Sequence, residues 1–597
     1  MDKELQKKVL AEAIRNLENG YEIPYEFKKI LFPNAKKEYE LTYAGKENEE
    51  YIISNVLSVP FQEDRRFCFS DNYDGWANKL IFGDNLQVLK TLIEYKKNGL
   101  LKNSDGSDGV KLVYIDPPFS TRRDFKASGD DQKAYSDKLA GAEFLEWLRK
   151  RLILIREVLS DDGSLYVHLD NKKVAYIKVL LDEIFGENNF RSQIIWDTSI
   201  PYVAGNKWLS NNWIYSQATI LYYTKSTKNY CFNKEYFIVK QPSGDESKKP
   251  VKDVWTDVEN FAGFLGAKDY KTKYPTQKPE KLLNRIIKAS SNPGDIVMDC
   301  FAGSGTTIAS AEKLGRKWIG VDAGKLSIYS IQKRMLHLEK EKNCKKCSPF
   351  VLYSAGLYDV DKINQFDENN WKIFALQLWG CVPESTKIRN FIFDGKRYGD
   401  LVKVFTPHEL KKIGAKISLE TLEAIYNRVG ESAGNNLFII APKGSFMFAE
   451  DEIQVRKVLF NILRVPYSLL AKFTEDFEMA LQPSNSSNVN EAVDAVGFDF
   501  IQPPHVEYHL EKDKLVIDSF LSTSRIKGEE KSDLAMILIN YKYDGNTFNL
   551  DEFYYKADSF PDNVLKIDTK KFTAKTMIIF IDSAGNERRI INEQWNI

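Results

Sequence analysis

Two short loops, each placed directly after a strand-like apolar run, constrain the fold of this 597-residue chain more than any other feature. The first, Asp116-Pro117-Pro118-Phe119, follows the apolar residues 111–115. The second, the glycine-rich segment 301–307, follows residues 295–300 and leads into a helix-like stretch. Strands that alternate with helices in this manner form a doubly wound, mostly parallel α/β sheet. We therefore expect an α/β fold that presents both loops at the ends of its strands.

The alternation of strand-like and helix-like segments also predicts how the chain is divided. Helical spacing predicts a helix over 144–159 that ends at Asp161-Asp162-Gly163, and alternating polarity predicts a strand over 506–517. The aromatic-rich residues 196–272 interrupt the α/β rhythm, which resumes after them. We predict six segments: an N-terminal arm (1–75), a first α/β half (76–195), an inserted region (196–272), a second α/β half (273–340), a mixed α/β region (341–483) and a β-rich region (484–597).

The Asp-Pro-Pro loop has the groups needed to activate an amine for attack on an electrophile. The carboxylate of Asp116 can accept a hydrogen bond from the amine, and the carbonyl of Pro117 is a second hydrogen-bond acceptor. Pro117 and Pro118 stiffen the loop and lack an N–H group. Phe119 offers a ring against which a base extruded from a nucleic-acid helix stacks. The alternative interpretation of the same residues is a rigid turn after a strand.

The glycine-rich loop is typical of nucleotide binding. Gly303 and Gly305 allow the backbone to approach a ligand closely. About twenty residues further on, Asp322 ends the next strand, where a carboxylate binds ribose hydroxyls. A dinucleotide site and a P-loop are the alternatives, but the third glycine of the former and the Gly-Lys pair of the latter are missing. The candidate cofactor-binding residues here are Asp299, Phe301, Ala302, Gly303, Ser304, Gly305, Thr306 and Asp322.

Further segments give the chain a family resemblance. Residues 80–86 contain Asp84 and Asn85, residues 274–279 read Tyr-Pro-Thr-Gln-Lys-Pro, and Asp161-Asp162-Gly163 precedes a strand-like run. In their order along the chain, these segments and the two loops resemble the β-class S-adenosylmethionine-dependent amino DNA methyltransferases, including the modification subunits of type III restriction systems. The resemblance implies a permuted methyltransferase sheet whose catalytic half is 76–195 and whose cofactor half is 273–340. It adds Asp84, Asn85, Thr276, Gln277 and Lys278 to the cofactor-binding candidates.

The resemblance also implies a reaction and its partners. It implies methyl transfer from S-adenosylmethionine to a flipped-out base of duplex DNA, and Asp116 at the first loop position favours adenine N6 over cytosine N4. A restriction-modification role is implied, with a restriction or helicase subunit and a homodimer as further candidates. The alternatives are a cytosine-N4 methyltransferase and a chain that serves mainly as the DNA-recognition subunit of a nuclease or helicase complex.

Candidate DNA contacts lie outside the two loops. Arg122 and Arg123 follow the Asp-Pro-Pro loop, and Lys207 lies in the inserted region that we expect to read the target. Arginine and lysine bind phosphates, although a solvated loop is the alternative for the arginine pair. Lys plus Arg equals Asp plus Glu at 84 each, so the whole chain has no basic excess. Any positive DNA-binding surface must therefore be local.

The cysteine content and the absence of long apolar runs predict a soluble protein of the cytoplasm that does not enter a membrane. Six scattered cysteines fit a reducing compartment. Cys344 and Cys347 form one Cys-x-x-Cys pair without a second pair nearby, and a zinc site usually needs four ligands. His505 and His509 flank Glu507 in a strand-like alternation that does not match a metalloprotease signature. We expect no metal site.

Overall fold

The computed structural model describes most of the chain. It covers residues 3–18, 40–56, 58–69, 75–118, 124–126, 133–136, 141–198, 213, 216–240, 246–259, 272, 276–341, 346–355, 368–379, 381–412, 417–442, 445–447, 452–465, 504–521, 534–545, 547–555, 566–583 and 585–591. Within these residues no helix is both long enough and apolar enough to cross a membrane.

The described residues form helices and strands with the following bounds. The α-helices are α1 (Lys3–Glu18), α2 (Glu49–Asn55), α3 (Asn85–Lys97), α4 (Gly141–Val158), α5 (Val174–Phe185), α6 (Glu280–Ser290), α7 (Thr306–Lys313), α8 (Lys325–His337), α9 (Glu368–Leu378), α10 (Pro407–Lys412) and α11 (Leu419–Val429). Short 3-10 helices lie at Glu187–Asn189, Leu338–Lys340 and Gly430–Ala433. The strands are β1 (Phe61–Phe67), β2 (Asn78–Phe82), β3 (Val110–Ile115), β4 (Asp124–Lys126), β5 (Lys133–Ser136), β6 (Leu159–Leu169), β7 (Phe190–Asp197), β8 (Gln217–Thr224), β9 (Tyr236–Lys240), β10 (Glu246–Pro250), β11 (Val254–Trp255), β12 (Ile296–Asp299), β13 (Lys317–Asp322), β14 (Phe350–Ala355), β15 (Val382–Ile388), β16 (Phe391–Arg397), β17 (Asp400–Val404), β18 (Asn436–Pro442), β19 (Glu452–Val455), β20 (Val458–Val465), β21 (His505–Glu511), β22 (Lys514–Leu521), β23 (Leu534–Asn540), β24 (Phe548–Asn549), β25 (Glu552–Tyr555), β26 (Lys566–Asp568), β27 (Met577–Asp582) and β28 (Glu587–Ile591).

A mixed sheet of eleven strands forms the centre of the molecule. Its order is β11-β7-β8-β6-β3-β12-β13-β2-β14-β1-β24. The six strands from β6 to β14 pair in parallel, whereas β8 pairs antiparallel with both β6 and β7. The predicted doubly wound, mostly parallel α/β sheet is therefore confirmed.

The apolar pattern of β3 explains its central place. All six of its residues are buried, as expected for a parallel strand covered by helices on both faces. Because side chains alternate along a strand, Leu112 and Tyr114 enter one hydrophobic core and Val113 and Ile115 the other. The sheet thus separates two cores, and the loop after β3 emerges from a fully enclosed strand.

The order of the strands brings the two loops together. Although β12 lies far from β3 along the chain, the two strands are parallel neighbours, with Val113 opposite Met298. Each loop follows the carboxyl end of its strand. Ligands of open α/β sheets bind at such a point, where the strand order reverses.

Two local predictions differ from the structure. Helix α4 ends at Val158, and residues 159–169 then form β6, so Asp161 to Gly163 belong to the start of that strand stretch rather than to a helix end. The predicted strand over 506–517 is a hairpin of β21 and β22. Lys512 has φ of 50° at its turn. An alternating pattern continued across a tight turn does not reveal that turn.

The central sheet also includes strands from outside the predicted α/β halves. Strands β8 and β11 lie within residues 196–272, β1 comes from the N-terminal arm, and β14 and β24 come from beyond residue 340. The sequence did not reveal these additions because pairing between strands that are distant along the chain leaves no local pattern. The six-segment division of the chain stays a prediction.

The C-terminal residues form separate sheets, one of which packs on the central domain. Sheet β25-β23-β27-β28 shares a hydrophobic core with α8 and β14. Arg65 of β1 is 1% exposed, donates to Gln332 of α8 at 3.1 Å and pairs with Glu587 of β28. This buried arginine therefore joins the N-terminal strand, a helix of the central domain and the C-terminal sheet.

Candidate active site

The carboxylate of Asp116 stands directly after β3 and has two unlike oxygens. Its Oδ2 accepts a hydrogen bond from the ammonium of Lys278. Its Oδ1 is buried and has no hydrogen-bond partner among the described residues. A buried acceptor without a partner is costly, so such an atom in a cleft indicates a place for a ligand donor.

A buried pair of side chains lies beside Asp116. The hydroxyl of Tyr114 is 2.7 Å from Nδ1 of His168, and the ring of Trp196 meets His168 edge-on at 5.6 Å between ring centres. Burial lowers the pKa of His168 to about 4, so this imidazole is neutral at physiological pH. Sequence reasoning missed both residues, because each reads as part of an apolar strand.

The glycine-rich loop requires glycine at Gly305. Its φ is 72°, in the left-handed region, and a Cβ there would lie 2.6 Å from Cγ1 of Ile331. Its N–H donates to the carbonyl of Ala302 at 2.8 Å, and the N–H of Ala302 donates to Val321 at 3.1 Å. The loop is thus a tight turn held against the neighbouring strand β13.

Asp299, the last residue of β12, binds two residues of the glycine-rich loop. Its carboxylate accepts from the N–H of Phe301 at 2.9 Å and from the hydroxyl of Thr307 at 2.6 Å. Burial raises the pKa of Asp299 to about 7, although both hydrogen bonds oppose that rise. Asp299 therefore orders the loop from within the core.

Asp322 ends the adjacent strand β13 and is also bound by backbone amides. Its Oδ2 accepts from Gly303 and its Oδ1 from Gly324, both at 2.8 Å. Burial raises the pKa of this carboxyl. The predicted pair of a glycine-rich turn and a carboxylate one strand away is thus assembled in space.

Asp84 and Asn85 begin α3 and join the same edge of the sheet. Asp84 caps the helix through Leu86 N at 3.0 Å, and Asn85 donates to the carbonyl of Cys300 at 2.7 Å. Arg151 of α4 donates to Asp84 at 2.9 Å and to Asn85 at 2.5 Å. Sequence reasoning missed Arg151, which reads as one charged position of an amphipathic helix.

Residues 276–280 connect the two loops. Gln277 accepts from the N–H and hydroxyl of Thr272 at 2.7 and 2.8 Å. The carbonyl of Lys278 accepts from the hydroxyl of Thr306 at 3.1 Å. Arg334 donates to Thr306 at 3.0 Å, a further contact that the sequence did not reveal. Thr276 lies in the turn before these residues.

Several predicted residues receive no structural description. Phe119, Arg122, Arg123 and Lys207 lie outside the described residues, whereas Pro117 is buried and Pro118 half-buried. Cys344 is also outside them, and Cys347 has its sulfur 2.6 Å from that of Cys68. The described part of the chain contains no group of three Cys, His, Asp or Glu side chains placed to hold a metal ion.

The arrangement of these site residues indicates a class of protein. A parallel α/β sheet presents a glycine-rich turn, a carboxylate on the neighbouring strand and a separate Asp-Pro-Pro acceptor at its topological switch point. These are the parts of a transferase that holds a nucleoside-containing cofactor beside an amine substrate.

Comparisons with known proteins identify the family. The family model described as DNA methylase matches residues 110–333. The DNA adenine methyltransferase YhdJ of Escherichia coli (strain K12) is 31% identical over 43% of this chain and 82% of its own. The type II methyltransferase M2.DpnII of Streptococcus pneumoniae is 33% identical over 43% of this chain and 96% of its own. The crystal structure of the M1.HpyAVI-SAM complex aligns with a TM-score of 0.29 at 23% identity, over 43% of this chain and 98% of that one.

The chain belongs to this DNA methylase family. The expected amino DNA methyltransferase is confirmed at that level. The particular likeness to type III modification subunits stays a prediction.

Proposed function

We propose that the protein is a site-specific DNA methyltransferase that transfers a methyl group from S-adenosylmethionine to adenine N6. The observation that carries this proposal is the buried Oδ1 of Asp116, which has no hydrogen-bond partner among the described residues and follows the strand next to that of the glycine-rich loop. An amine that approaches this oxygen also lies next to a cofactor held by the neighbouring loop. Such positioning supplies much of the catalysis of a group transfer.

The residues of the glycine-rich side fit the cofactor. The positive φ at Gly303 and Gly305 lets the backbone turn tightly, so that the loop can present main-chain groups to a cofactor. Both oxygens of Asp322 accept backbone amides, which fixes the carboxylate at the strand end where it would bind a ribose hydroxyl. Asp84, fixed by Arg151, is placed for the adenine end. When bound, the cofactor supplies an electrophilic methyl group.

The Asp-Pro-Pro loop would prepare the target amine. Oδ1 of Asp116 and the carbonyl of Pro117 would accept hydrogen bonds from its two N–H groups, which favours a tetrahedral nitrogen with an available lone pair. Pro117 and Pro118 keep the loop rigid, so these acceptors need no reorganisation during the reaction. The ring of Phe119 would stack against the extruded base.

Adenine is favoured as the target for two reasons. The first loop position is Asp116, which the family resemblance associates with adenine N6. The relative YhdJ carries the name DNA adenine methyltransferase. Cytosine N4 is the competing target, because its amine has the same protons and the same conjugated lone pair.

The wider role follows from the relatives and the composition. Type II methyltransferases among the relatives support a place in a restriction-modification system, acting on duplex DNA in the cytoplasm. Arg122, Arg123 and Lys207 are proposed DNA contacts. A restriction or helicase subunit and a second copy of the chain are proposed partners, to be tested by co-purification and by molar mass in solution.

The proposed reaction is tested by methyl transfer from labelled cofactor to duplex DNA, followed by digestion to nucleosides. We expect the label in N6-methyl-2′-deoxyadenosine. Label in N4-methylcytosine would change the target. DNA binding without any transfer would favour the recognition-subunit alternative, and label in protein or RNA alone would contradict the proposal.

A further inference from the structure

The ammonium of Lys278 lies on the carboxylate that we propose as the amine acceptor. It donates to Oδ2 of Asp116, and both side chains are only 17% exposed. Lys278 directly precedes Pro279, which is the N-cap residue of helix α6. A proline of fixed φ at the start of a helix limits the freedom of the residue before it. The lysine is therefore presented from a stiff segment.

The backbone of the same residue is attached to the glycine-rich loop. The carbonyl of Lys278 accepts from Thr306, which is also bound by Arg334 at 3.0 Å. Arg334 is fully buried and donates to Glu280 at 2.7 Å. Lys278 thus contacts the acceptor with its side chain and the cofactor side with its carbonyl, and a buried arginine fixes the connection.

The two oxygens of Asp116 consequently have separate uses. Oδ2 is held by a cation, whereas Oδ1 is buried and unpartnered among the described residues. A charge-assisted hydrogen bond is roughly twice as strong as a neutral one, so it fixes the rotation of the carboxylate.

We propose that Lys278 is a positioning residue for methyl transfer, which orients Asp116 so that Oδ1 faces the target amine. The inference rests on the proposed function, because it requires an amine at Oδ1. It also gives Lys278 a different role from the cofactor contact expected from the sequence.

The path of the amine protons agrees with a positioning role for Lys278. In the transfer the amine nitrogen gains a bond to carbon, and the carbon–sulfur bond breaks with its electron pair left on sulfur. The nitrogen then carries a surplus proton, which is hydrogen-bonded to Asp116 and leaves to water. Lys278 takes no part in this proton transfer and only holds the carboxylate in place.

The test compares Lys278→Met and Lys278→Arg with a matched control, Lys281→Met. Lys281 lies one turn away, is 60% exposed and pairs with Asp257 at 3.3 Å, away from Asp116. For each folded variant, calorimetry gives the cofactor affinity, and single-turnover methylation of duplex DNA at saturating cofactor gives the rate. Thermal unfolding is recorded first, and Lys278→Gln replaces the Met variant if that variant does not fold.

We expect Lys278→Met to keep its cofactor affinity and to lose roughly 10²-fold in single-turnover rate. Lys278→Arg should recover part of the rate, and Lys281→Met should match the wild type.

Two results would overturn the inference. One is a Met variant with weakened cofactor binding but a normal rate at saturation, which would return Lys278 to the cofactor. The other is a Met variant with both a normal rate and an unchanged cofactor affinity. A wild-type protein that transfers no methyl group is a different result, since it contradicts the proposed function itself and the inference with it.

Discussion

The two loops at the edge of the sheet differ in how fully the protein satisfies their carboxylates. On the glycine-rich side, Asp299 and Asp322 each accept two hydrogen bonds from the protein itself. On the other side, Asp116 has one oxygen bound by Lys278 and one buried oxygen without a partner in the described structure. The glycine-rich loop is shaped before any ligand binds, whereas the Asp-Pro-Pro loop keeps an acceptor open. This difference agrees with the proposed roles, cofactor binding for the glycine-rich loop and catalysis for the Asp-Pro-Pro loop.

The largest effect should come from removing the open acceptor. In Asp116→Ala, the methylation rate should fall by roughly 10³-fold, because the amine loses its preorganised acceptor. The cofactor affinity should stay unchanged, since the other loop is intact. Labelled methyl transfer and calorimetry measure the two quantities.

Asp161→Asn is the control for that prediction, because Asp161 has a side chain that is 98% exposed. It should behave as the wild type in both measurements. If Asp116→Ala lost cofactor affinity as strongly as rate, the two loops would not be functionally separate.

A second prediction concerns the shape of the glycine-rich loop. In Gly305→Ala the new Cβ would lie 2.6 Å from Ile331, at a φ of 72° that alanine rarely adopts. The loop must shift, so the cofactor dissociation constant should rise by about ten- to a hundredfold, equivalent to roughly 1.4–2.7 kcal/mol. Isothermal titration measures it directly.

Gly315→Ala distinguishes the backbone strain of a positive φ from the collision of the new Cβ with Ile331. Gly315 has a similar φ of 71°, but a Cβ there meets nothing within 4 Å. We expect a loss of stability of about 1 kcal/mol and normal cofactor binding. An equal loss of affinity in both variants would mean that general destabilisation, not loop shape, explains the result.

Asp299 gives a pH-dependent prediction for the same loop. Its pKa is raised to about 7 in the folded protein, above the ordinary value of 3.8, so the folded state binds its proton more tightly. The stability gained from this proton is fully present below the unfolded pKa and is lost as pH rises toward 7. The difference in melting temperature between wild type and Asp299→Asn should therefore change across this window. A difference that stays constant with pH would show that Asp299 titrates normally.

The smallest effect should follow from Arg151→Lys. Lysine keeps the charge but cannot bind Asp84 and Asn85 with one planar group, as Arg151 does. We expect a loss of about two- to fivefold in cofactor affinity, or roughly 0.4–1 kcal/mol. Arg156→Lys on the same helix, which pairs with Glu49, is the control and should leave the affinity unchanged.

The sequence predicted the parts of the site that are contiguous in the chain. Asp116, the glycine-rich loop and Asp322 were all visible, because turns and strand ends have local residue requirements. His168, Arg151 and Arg334 were not, because they reach the site only when separate strands and helices pack together. For the same reason the contact of Lys278 with Asp116, 162 positions apart, was outside the reach of any local pattern.

Prediction of the fold from the sequence was limited in the same way. The apolar, enclosed strands of the central sheet were predicted correctly, since burial on both faces leaves a continuous apolar run. Strands β1, β14 and β24 were not assigned to that sheet, because their partners lie hundreds of residues away. Long-range pairing, unlike local periodicity, has no signature in a single sequence.

The account depends most on Asp116 as the acceptor for an adenine amine, and modified-base sequencing of genomic DNA tests this directly. The gene is deleted and then restored either as wild type or as Asp116→Ala. We predict N6-methyladenine at one recurring DNA motif with the wild-type gene, and none at that motif in the deletion or with the variant. Adenine methylation that persists with Asp116→Ala, or modified cytosine in its place, would contradict the account.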